Sequence, residues 1–460
     1  MVSDRGRHCS SYLISNRRFW RLIGWARSPR DRMVQPPLSW TSSTRSNPTG
    51  IEPMNTLNVA AAGGADGVCA TAGGPVSSSA VRVQYAETRT PVSISSRVPR
   101  VGRAPGNRLL MDMPEAYIAA RRSSALIDLS ARGKLAIRGA DRASYLQGLQ
   151  TNDIEALSAG EGCYAMFLTP QGRIESDAQI LHLGDELILD VHPSVVVALD
   201  ERLREFVFTE DVTVEDRTST WVAFGVHGPE AAALIRTVVQ PGTGSETGLV
   251  DAAELIALPE CHHRAGQFSG EPVVVARSGE IGEVGFVLYT ASASGPALRA
   301  TLMREGAVEL DASTFNLLRI EAGRPVFPAD LDSETIPLEA GLEDRAISMT
   351  KGCYVGQEVI VRILHRGKGR VARRLVGLRF EPDANPPVPG AALSIVADES
   401  GVGVVTSAAR SPALGRSIAL GYVKRELADL DTTLVVQDGA GWNSATVTAR
   451  PFLPLEGAGR

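Results

Sequence analysis

Two stretches of the chain place an apolar strand ahead of an amphipathic helix. In the first, Leu135 and Ile137 alternate with other residues in a strand, and Asp141 begins a helix. In the second, the apolar run 221–227 is followed by Pro229, a residue suited to the first turn of a helix. This repeated unit predicts a body that mixes helices with sheets.

Further elements of this body follow from the same patterns. Short glycine-containing turns such as 170–172 join several strands, which favours antiparallel pairing over a doubly wound parallel sheet. Neither the glycine pattern of dinucleotide sites nor a phosphate-binding loop is present. The fold class is therefore predicted to be α+β. The other predicted strands cover 164–168, 178–183, 187–191, 212–215, 272–276 and 285–289, and the other helices cover 194–206 and 296–304.

The pattern changes after residue 370 to short alternating strands separated by glycine and proline. Turns at regular short intervals with almost no helix predict a small β-barrel or sandwich. We place a domain boundary here, with a body over 111–369 and a barrel domain over 370–460. Six barrel strands are predicted at 375–380, 392–396, 401–407, 417–423, 432–436 and 444–449.

Charge separates the first 110 residues from the rest. They carry 15 arginines against five acidic residues, a net of +10, whereas the whole chain has a net charge of −5. The remaining residues therefore carry −15. The leader is rich in Ser, Pro, Gly and Ala without apolar periodicity, which predicts disorder.

Three interpretations of this leader stay open. It is upstream sequence from a misplaced start, with the native start at Met111 or Met113, or an organellar transit segment, or a nucleic-acid-binding tail. The first predicts a cytoplasmic protein and the second a protein of the mitochondrial matrix.

Cysteine usage and hydropathy exclude several classes. The five cysteines form no CxxC pair, which argues against a disulfide scaffold and against a protein-held zinc ion or permanent iron–sulfur cluster. We interpret Cys261-His262-His263 as a polar loop and predict no metal site. The mean hydropathy of −0.01 and the absence of a long apolar run predict no membrane contact.

The segment 313–374 has the most unusual composition. Lys351 lies two residues from Cys353, where its charge favours the thiolate, so the thiol is a candidate nucleophile, redox group or soft metal ligand. A small buried hydrophobic residue is the alternative for this cysteine. A helix ending at Gly323 places Glu321 in its last turn, and a solvated carboxylate is the alternative there.

A basic stretch follows this segment. Residues 359–380 contain seven Lys or Arg and no acidic residue, and 367–369 form a candidate hairpin tip, which predicts a basic β-ribbon. In an acidic body this stretch indicates an anionic partner such as a carboxylate-rich cofactor tail, a phosphate or RNA. A solvated hairpin that balances the acidic surface is the alternative.

These residues match a known family. Lys351–Glu358 (KGCYVGQE), followed by Arg362, resembles the signature of the YgfZ family of folate-binding proteins, which assist iron–sulfur cluster biogenesis. The segments 127–134, 146–153, 172–174 and 318–323 resemble the wider folate-binding fold of the glycine cleavage T-protein, an aminomethyltransferase. The resemblance covers about residues 115–455.

The resemblance implies a multi-domain α+β fold around a central funnel that binds tetrahydrofolate or a one-carbon derivative, with a small C-terminal β-barrel. It assigns the pterin-binding carboxylate to Glu321 and the essential thiol to Cys353, with Lys351 beside it. The remaining cofactor-binding residues that it implies are Arg324, Gly356, Gln357, Glu358 and Arg362.

One departure from the T-protein pattern bears on the reaction. T-proteins commonly carry paired acidic residues after the Gly-x-Ile turn, but this chain has Ser176 beside Asp177. We therefore expect a tetrahydrofolate-binding accessory protein for assembly or repair of iron–sulfur clusters, in enzymes such as those that modify tRNA, rather than an enzyme with its own turnover. Its expected partners are iron–sulfur client or assembly proteins.

Two other functions stay open. The first is tetrahydrofolate-dependent aminomethyl transfer with Asp177 as the catalytic carboxyl group. The second is RNA binding through the basic stretch.

Overall fold

The computed structural model describes residues 113–242, 248–397, 401–438 and 441–454, and all of them belong to one compact unit. The predictions for the leader 1–110 lie outside the described residues.

Ten α-helices and eighteen strands are found in the described part of the chain. The helices are α1 Glu115–Arg122, α2 Arg142–Gln147, α3 Val196–Glu205, α4 Ala231–Val238, α5 Ala252–Ala257, α6 Gly295–Arg304, α7 Ala312–Glu321, α8 Pro337–Ala340, α9 Glu343–Ala346 and α10 Gln357–Val361. The strands are β1 Ala125–Asp128, β2 Gly133–Arg138, β3 Gly162–Leu168, β4 Ile174–His182, β5 Glu186–Val191, β6 Thr213–Asp216, β7 Trp221–His227, β8 Gln240–Pro241, β9 His263–Phe268, β10 Glu271–Ser278, β11 Gly285–Ala291, β12 Val308–Glu309, β13 Arg373–Phe380, β14 Ala392–Ser394, β15 Gly403–Ser411, β16 Arg416–Lys424, β17 Thr433–Asp438 and β18 Gly441–Thr448.

A five-stranded antiparallel sheet in the order β3-β4-β5-β2-β6 forms one wall of the body. Because successive side chains point to opposite faces, its apolar residues divide between two cores. Phe167, Ile180 and Leu189 pack with α3 on one side, whereas Met166 and Ile188 belong to the central core of the molecule. The sheet therefore presents one face to the centre of the molecule.

A seven-stranded sheet in the order β12-β1-β7-β11-β10-β9-β8 forms the second wall. Its pairs are antiparallel except for β1 and β12, which run parallel. Phe224, Ile235 and Leu298 pack together on one side of this sheet, where α4 and α6 cover it. The two predicted strand–helix units are thus confirmed, one in each sheet.

The six C-terminal strands close into a barrel in the order β13-β16-β15-β14-β17-β18. Inward-facing residues such as Leu378, Leu393 and Val436 fill it. The predicted α+β class and the small β-barrel are confirmed. The first barrel strand begins at Arg373, and the predicted boundary near 370 stays a prediction.

The prediction of a basic β-ribbon at 359–380 was wrong in its first half. Residues 357–361 form α10, and one π-helical turn, Arg362–Arg366, continues it. Ile360, Ile363 and Leu364 pack against the central core at helical spacing, so burial of this apolar stripe favours a helix. Only from Arg373 does the basic stretch enter a strand.

The prediction of a polar loop at Cys261-His262-His263 was also wrong. Cys261 and His263 are buried, and His263 begins β9 opposite Ala276 of β10. Among the described residues no helix is long and apolar enough to cross a membrane.

Candidate functional site

A cavity of about 830 Å³, including its open mouth, lies between the two sheets and α7. Leu129, Phe315, Val326 and Phe327 supply apolar walls. The polar and charged residues that line it are Arg132, Tyr164, Asp177, Gln179, Asp190, His192, Glu280, Arg319, Arg324 and Arg345.

Strand alternation brings Asp177 into this cavity. Asp177 and Gln179 lie two residues apart on β4 and point to the face that looks toward the centre of the molecule. The Tyr164 hydroxyl of neighbouring β3 donates to the Asp177 carboxylate at 2.8 Å. Burial raises the pKa of Asp177. The group is thus a carboxyl that can hold or accept a proton near a bound ligand.

Position 176 lies on the opposite face of the same strand. The Ser176 side chain is buried, and its hydroxyl donates to the main-chain oxygen of Asp177. A carboxylate at this position would point away from the cavity. The replacement of an acidic residue by Ser176 therefore argues less strongly against transfer chemistry than the sequence suggests.

A second charged group lies around Arg345. Its guanidinium stacks over the Tyr164 ring at 3.9 Å and donates to both carboxylate oxygens of Glu260, at 2.5 and 3.0 Å. Arg324 approaches the same carboxylate only at 3.9 Å. Burial acts against ionisation, but Arg345 and then Arg324 lower the pKa of Glu260 to about 2. Arg324 is thus a weakly paired cation in the cavity wall.

A third charged group surrounds Arg132. Its guanidinium donates to Asp190 at 2.6 Å and to Glu280 at 2.6 Å. The Tyr289 hydroxyl donates to the other oxygen of Asp190 at 2.5 Å. Burial raises the pKa of Asp190. Burial also acts against ionisation of Glu280, but the charge and hydrogen bond of Arg132, with the charges of His227 and Arg345, together lower its pKa. These side chains satisfy one another's hydrogen bonds. They therefore form a charged part of the cavity wall whose groups are not free to bind a ligand.

Sequence reasoning predicted Asp177 and Arg324 in this site and missed most of its other charges. Arg132 lies just before β2, Glu280 in the turn between β10 and β11, and Arg345 in the short helix α9. In the sequence, such residues can be suspected only where a charged residue lies next to a glycine turn, as at Gly279-Glu280.

Glu321 is fully buried but does not line the cavity. Its carboxylate accepts hydrogen bonds from Tyr117 at 2.9 and 3.1 Å, from Arg121 and from Ser411. These donors connect α7 with α1 and with barrel strand β15. Recognition of a pterin by Glu321 stays a prediction, and it would require ring N–H groups to replace these donors.

The segment Lys351–Gly356 forms a loop outside the cavity. The buried Lys351 ammonium donates to the main-chain oxygens of Gln147, Gln150 and Asn152, at 2.7, 2.6 and 2.6 Å. Burial lowers the pKa of Lys351 to about 8. Cys353, two residues later, is exposed. Lys351 therefore anchors the loop that presents the thiol, and its ammonium is engaged by carbonyl groups.

A close backbone contact holds the end of this loop. Gly356 has φ 83°, and a Cβ there would lie 2.6 Å from the oxygen of Thr169 and 3.2 Å from the Cα of Gly172. Only glycine fits this left-handed and crowded position. The loop therefore rests on the tip of the β3–β4 hairpin, whose second strand carries Asp177.

The other predicted cofactor-binding residues of this region lie apart from the cavity. Gln357 and Glu358 form the first turn of α10, and Arg362 is exposed in the π-helical turn. None of them, nor Lys351, Cys353 or Gly356, lines the cavity. Their role in binding a cofactor stays a prediction. No cluster of three or more potential metal ligands occurs in the described part of the chain.

Comparisons with known proteins place these features in context. The family model described as the GCVT N-terminal domain matches residues 81–351, and that of the glycine cleavage T-protein C-terminal barrel domain matches residues 373–453. An aminomethyltransferase of Thermosynechococcus vestitus is 30% identical over 338 residues, which is 74% of this chain and 87% of the relative.

Two further similar proteins are also matched over 74% of this chain. A chloroplastic protein of Arabidopsis thaliana, provisionally named a transferase, is 29% identical over 340 residues, 74% of this chain and 73% of the relative. The crystal structure of the glycine cleavage system aminomethyltransferase T from Bartonella henselae is similar in fold, with a TM-score of 0.63 at 21% identity. It is matched over 74% of this chain and 89% of that structure.

Proposed function

Because the chain belongs to the glycine cleavage T-protein family, we propose that its cavity binds a reduced folate and that the protein serves as an accessory factor for iron–sulfur proteins through Cys353. The observation that carries the proposal is the separation of two sites. A cavity with an acid–base carboxyl group lies on one side, and an exposed thiol on an anchored loop lies outside it.

The residues of the cavity fit a reduced folate. The carboxyl group of Asp177 suits the paired N–H donors of a pterin ring. Phe315 and Phe327 offer apolar contacts for the aromatic linker. Among the described residues, the carboxylate partner of Arg324 is Glu260 at 3.9 Å, so the guanidinium is available for the carboxylate tail. When bound, the reduced folate supplies a nitrogen that accepts or releases a one-carbon unit.

Binding is tested by calorimetric titration with tetrahydrofolate. We expect Asp177→Asn to weaken binding at least about tenfold, equivalent to about 1.4 kcal/mol. The matched control is Asp185→Asn, an exposed carboxylate in the β4–β5 turn of the same sheet, which should change affinity less than about twofold. Equal affinity of wild type and Asp177→Asn would remove the cavity as the folate site.

The role of Arg324 is tested with a ligand that lacks the carboxylate tail. Arg324→Gln should weaken binding of tetrahydrofolate but leave binding of 6-methyltetrahydropterin, which has no carboxylate, unchanged, because the proposed contact of the guanidinium is with the tail. A parallel titration of Glu321→Ala shows whether the buried carboxylate of α7 contributes. An equal loss for both ligands in Arg324→Gln would place the guanidinium elsewhere on the ligand.

The accessory role is tested in a strain that lacks the protein. We expect Cys353→Ser to abolish rescue of iron–sulfur enzyme activity while leaving folate affinity unchanged, because the thiol lies outside the cavity. Lys351→Met should reduce rescue through loss of the loop anchor. Full rescue by both variants would refute the proposed role of the loop.

Tetrahydrofolate-dependent aminomethyl transfer is a second candidate, favoured by Asp177. A cavity carboxyl group with a raised pKa can hold the proton that leaves or enters the folate nitrogen during transfer. The test is formation of methylenetetrahydrofolate from aminomethylated lipoyl carrier. Turnover by wild type that is lost in Asp177→Asn supports transfer, and no turnover by wild type eliminates it.

A further inference from the structure

Exposed cations without acidic partners lie on the segment that follows the Cys353 loop. Arg362, Arg366, Lys368 and Arg370 are all exposed, and none forms an ion pair within 4.0 Å with another described residue. Some exposed arginines elsewhere, such as Arg204 and Arg304, instead contact carboxylates. In a body of net charge −15, unpaired cations in one short segment form a local positive field.

The fold of this segment directs its charges outward. Ile363 and Leu364 pack against the central core. Arg362 and Arg366 flank these two residues in the same π-helical turn and remain exposed. The apolar anchors thus hold the cations on the surface in a fixed arrangement.

Apolar groups accompany the cations. The Met349 side chain is 57% exposed and Val361 is 39% exposed, and they lie on either side of Cys353 along the chain. The aromatic residue next to the thiol, Tyr354, is only 8% exposed. Single-stranded nucleic acid is bound largely by stacking on exposed aromatic rings, whereas methionine and arginine are enriched in protein interfaces. This composition favours a protein partner over RNA.

We propose that Met349, Val361, Arg362, Arg366, Lys368 and Arg370 form a docking surface for an acidic protein, with Cys353 at its edge. At most about 14 Å of extended chain separates Cys353 from the first residue of α10. The ten residues 357–366 then rise about 15 Å along the helix axis. A partner bound here lies within reach of the thiol. The docking surface itself does not depend on the proposed function, and only the role given to Cys353 rests on it.

The surface is tested by fluorescence anisotropy on the full chain with a labelled glutamate-rich peptide that carries interspersed leucines. A single-stranded RNA of similar length is the competing probe. The triple reversal Arg362→Glu, Arg366→Glu and Lys368→Glu is compared with a matched reversal of three exposed arginines elsewhere, Arg204→Glu, Arg304→Glu and Arg410→Glu. Thermal unfolding verifies that both variants are folded.

We expect the first reversal to weaken peptide binding at least about tenfold and the matched reversal less than about twofold. Met349→Ser with Val361→Ser should weaken the peptide about threefold without affecting RNA. Equal losses in the two reversals would overturn the proposal. Tighter binding of RNA that is insensitive to the serine variants would assign the surface to nucleic acid instead.

The position of the thiol is tested with the same peptide carrying an activated aromatic disulfide. The Cys353 thiolate attacks the peptide sulfur, a mixed disulfide forms, and the aromatic thiolate leaves and is measured by its absorbance. We expect reaction about tenfold faster than with a neutral peptide, and loss of this advantage in the triple reversal. Cys353→Ala gives the background.

A rate that does not depend on peptide charge would overturn the placement of Cys353 beside the surface. No folate is present in these measurements, so failure of folate binding leaves their outcome unaffected.

Discussion

At the scale of single residues, the pKa values of two carboxyl groups are shifted in opposite directions: Asp177 lines the cavity, and Glu260 contacts the lining residue Arg345. Glu260 accepts two hydrogen bonds from Arg345, and its pKa is lowered, whereas burial raises the pKa of Asp177. The first carboxylate stabilises the fold when ionised. The second is costly when ionised, which is typical of a group retained for binding or chemistry.

We expect Glu260→Gln to reduce the free energy of unfolding by about 1–3 kcal/mol at neutral pH. The pKa of Glu260 changes from 4.5 to about 2 on folding, so its contribution is present above pH 4.5 and is lost as the pH falls toward 2. Urea unfolding of both proteins between neutral and acidic pH measures this. Glu215→Gln, which removes a 56% exposed partner of Arg217, is the control, with an expected change below about 0.5 kcal/mol. If the difference in unfolding free energy between wild type and Glu260→Gln grew as the pH falls, it would contradict a lowered pKa of Glu260.

Asp177→Asn should have the opposite effect on stability. Because the pKa of Asp177 is raised in the folded state, the native protein binds its proton more tightly, and ionisation at neutral pH destabilises the fold. We expect the melting temperature to increase by about 1–3 °C at neutral pH. The gain should vanish as the pH falls toward 4. At neutral pH the same variant should bind tetrahydrofolate at least about tenfold more weakly. A lower melting temperature at neutral pH would show that the Tyr164 hydrogen bond outweighs burial.

At the scale of elements, periodicity predicted much of the structure. The strands around Leu135 and Trp221 and all six barrel strands follow from alternation and glycine turns. The glycine-rich end of the segment after Gly356, 367–369, has the composition of a hairpin turn and predicts a ribbon, but residues 357–366 are helical. The helical burial of Ile360, Ile363 and Leu364 is a tertiary effect that local composition does not contain.

Gly356→Ala should be destabilising by about 2–4 kcal/mol, because the new methyl group combines a left-handed backbone with overlap on the hairpin tip. Gly352→Ala in the same loop is the matched control. A Cβ there has no neighbour within 4 Å, so we expect a change below about 0.5 kcal/mol. Chemical denaturation and hydrogen exchange of 348–356 measure the effect. Equal stability of the two variants would show that the loop can leave the hairpin at no cost.

At the scale of the whole molecule, a buried polar network joins the cavity to the barrel. Arg319 lines the cavity and donates to Asp330 and to Ser407 of β15. The Ser407 hydroxyl donates to Asp330 at 2.7 Å, and the Tyr422 hydroxyl of β16 donates to its main-chain oxygen at 2.9 Å. Asp330 therefore stabilises the contact between body and barrel.

We expect Asp330→Ala to reduce the free energy of unfolding by about 3–5 kcal/mol, because it leaves the Arg319 charge buried without its partner. Asp429→Ala, an exposed carboxylate on the barrel side, should change it by less than about 0.5 kcal/mol. Calorimetry measures both variants and reports whether body and barrel then unfold separately. A loss no larger than that of the control would show that the network adds nothing to the contact.

The composition of the cavity is also a property of the whole molecule. Arg132, Asp190, Glu280 and Arg345 are far apart in the sequence and meet only through sheet pairing and the packing of α9. Their pairing depends on long-range registers that one sequence does not reveal. Asp177 and Arg324 could be predicted because each lies within or next to a segment whose resemblance to a known family was recognised.

The β3–β4 hairpin has a consequence for how the two sites are related in space. Its ladder is in register from Gly162 and Leu181 to Phe167 and Ser176, and a bulge between Phe167 and Leu168 precedes the turn. Gly172, where the Cys353 loop rests, lies in the turn before β4, and at most about 17 Å of extended chain separates it from Asp177. The Asp177 carboxyl group and the Cys353 loop are thus both held by the β3–β4 hairpin, but only Asp177 lies in the cavity.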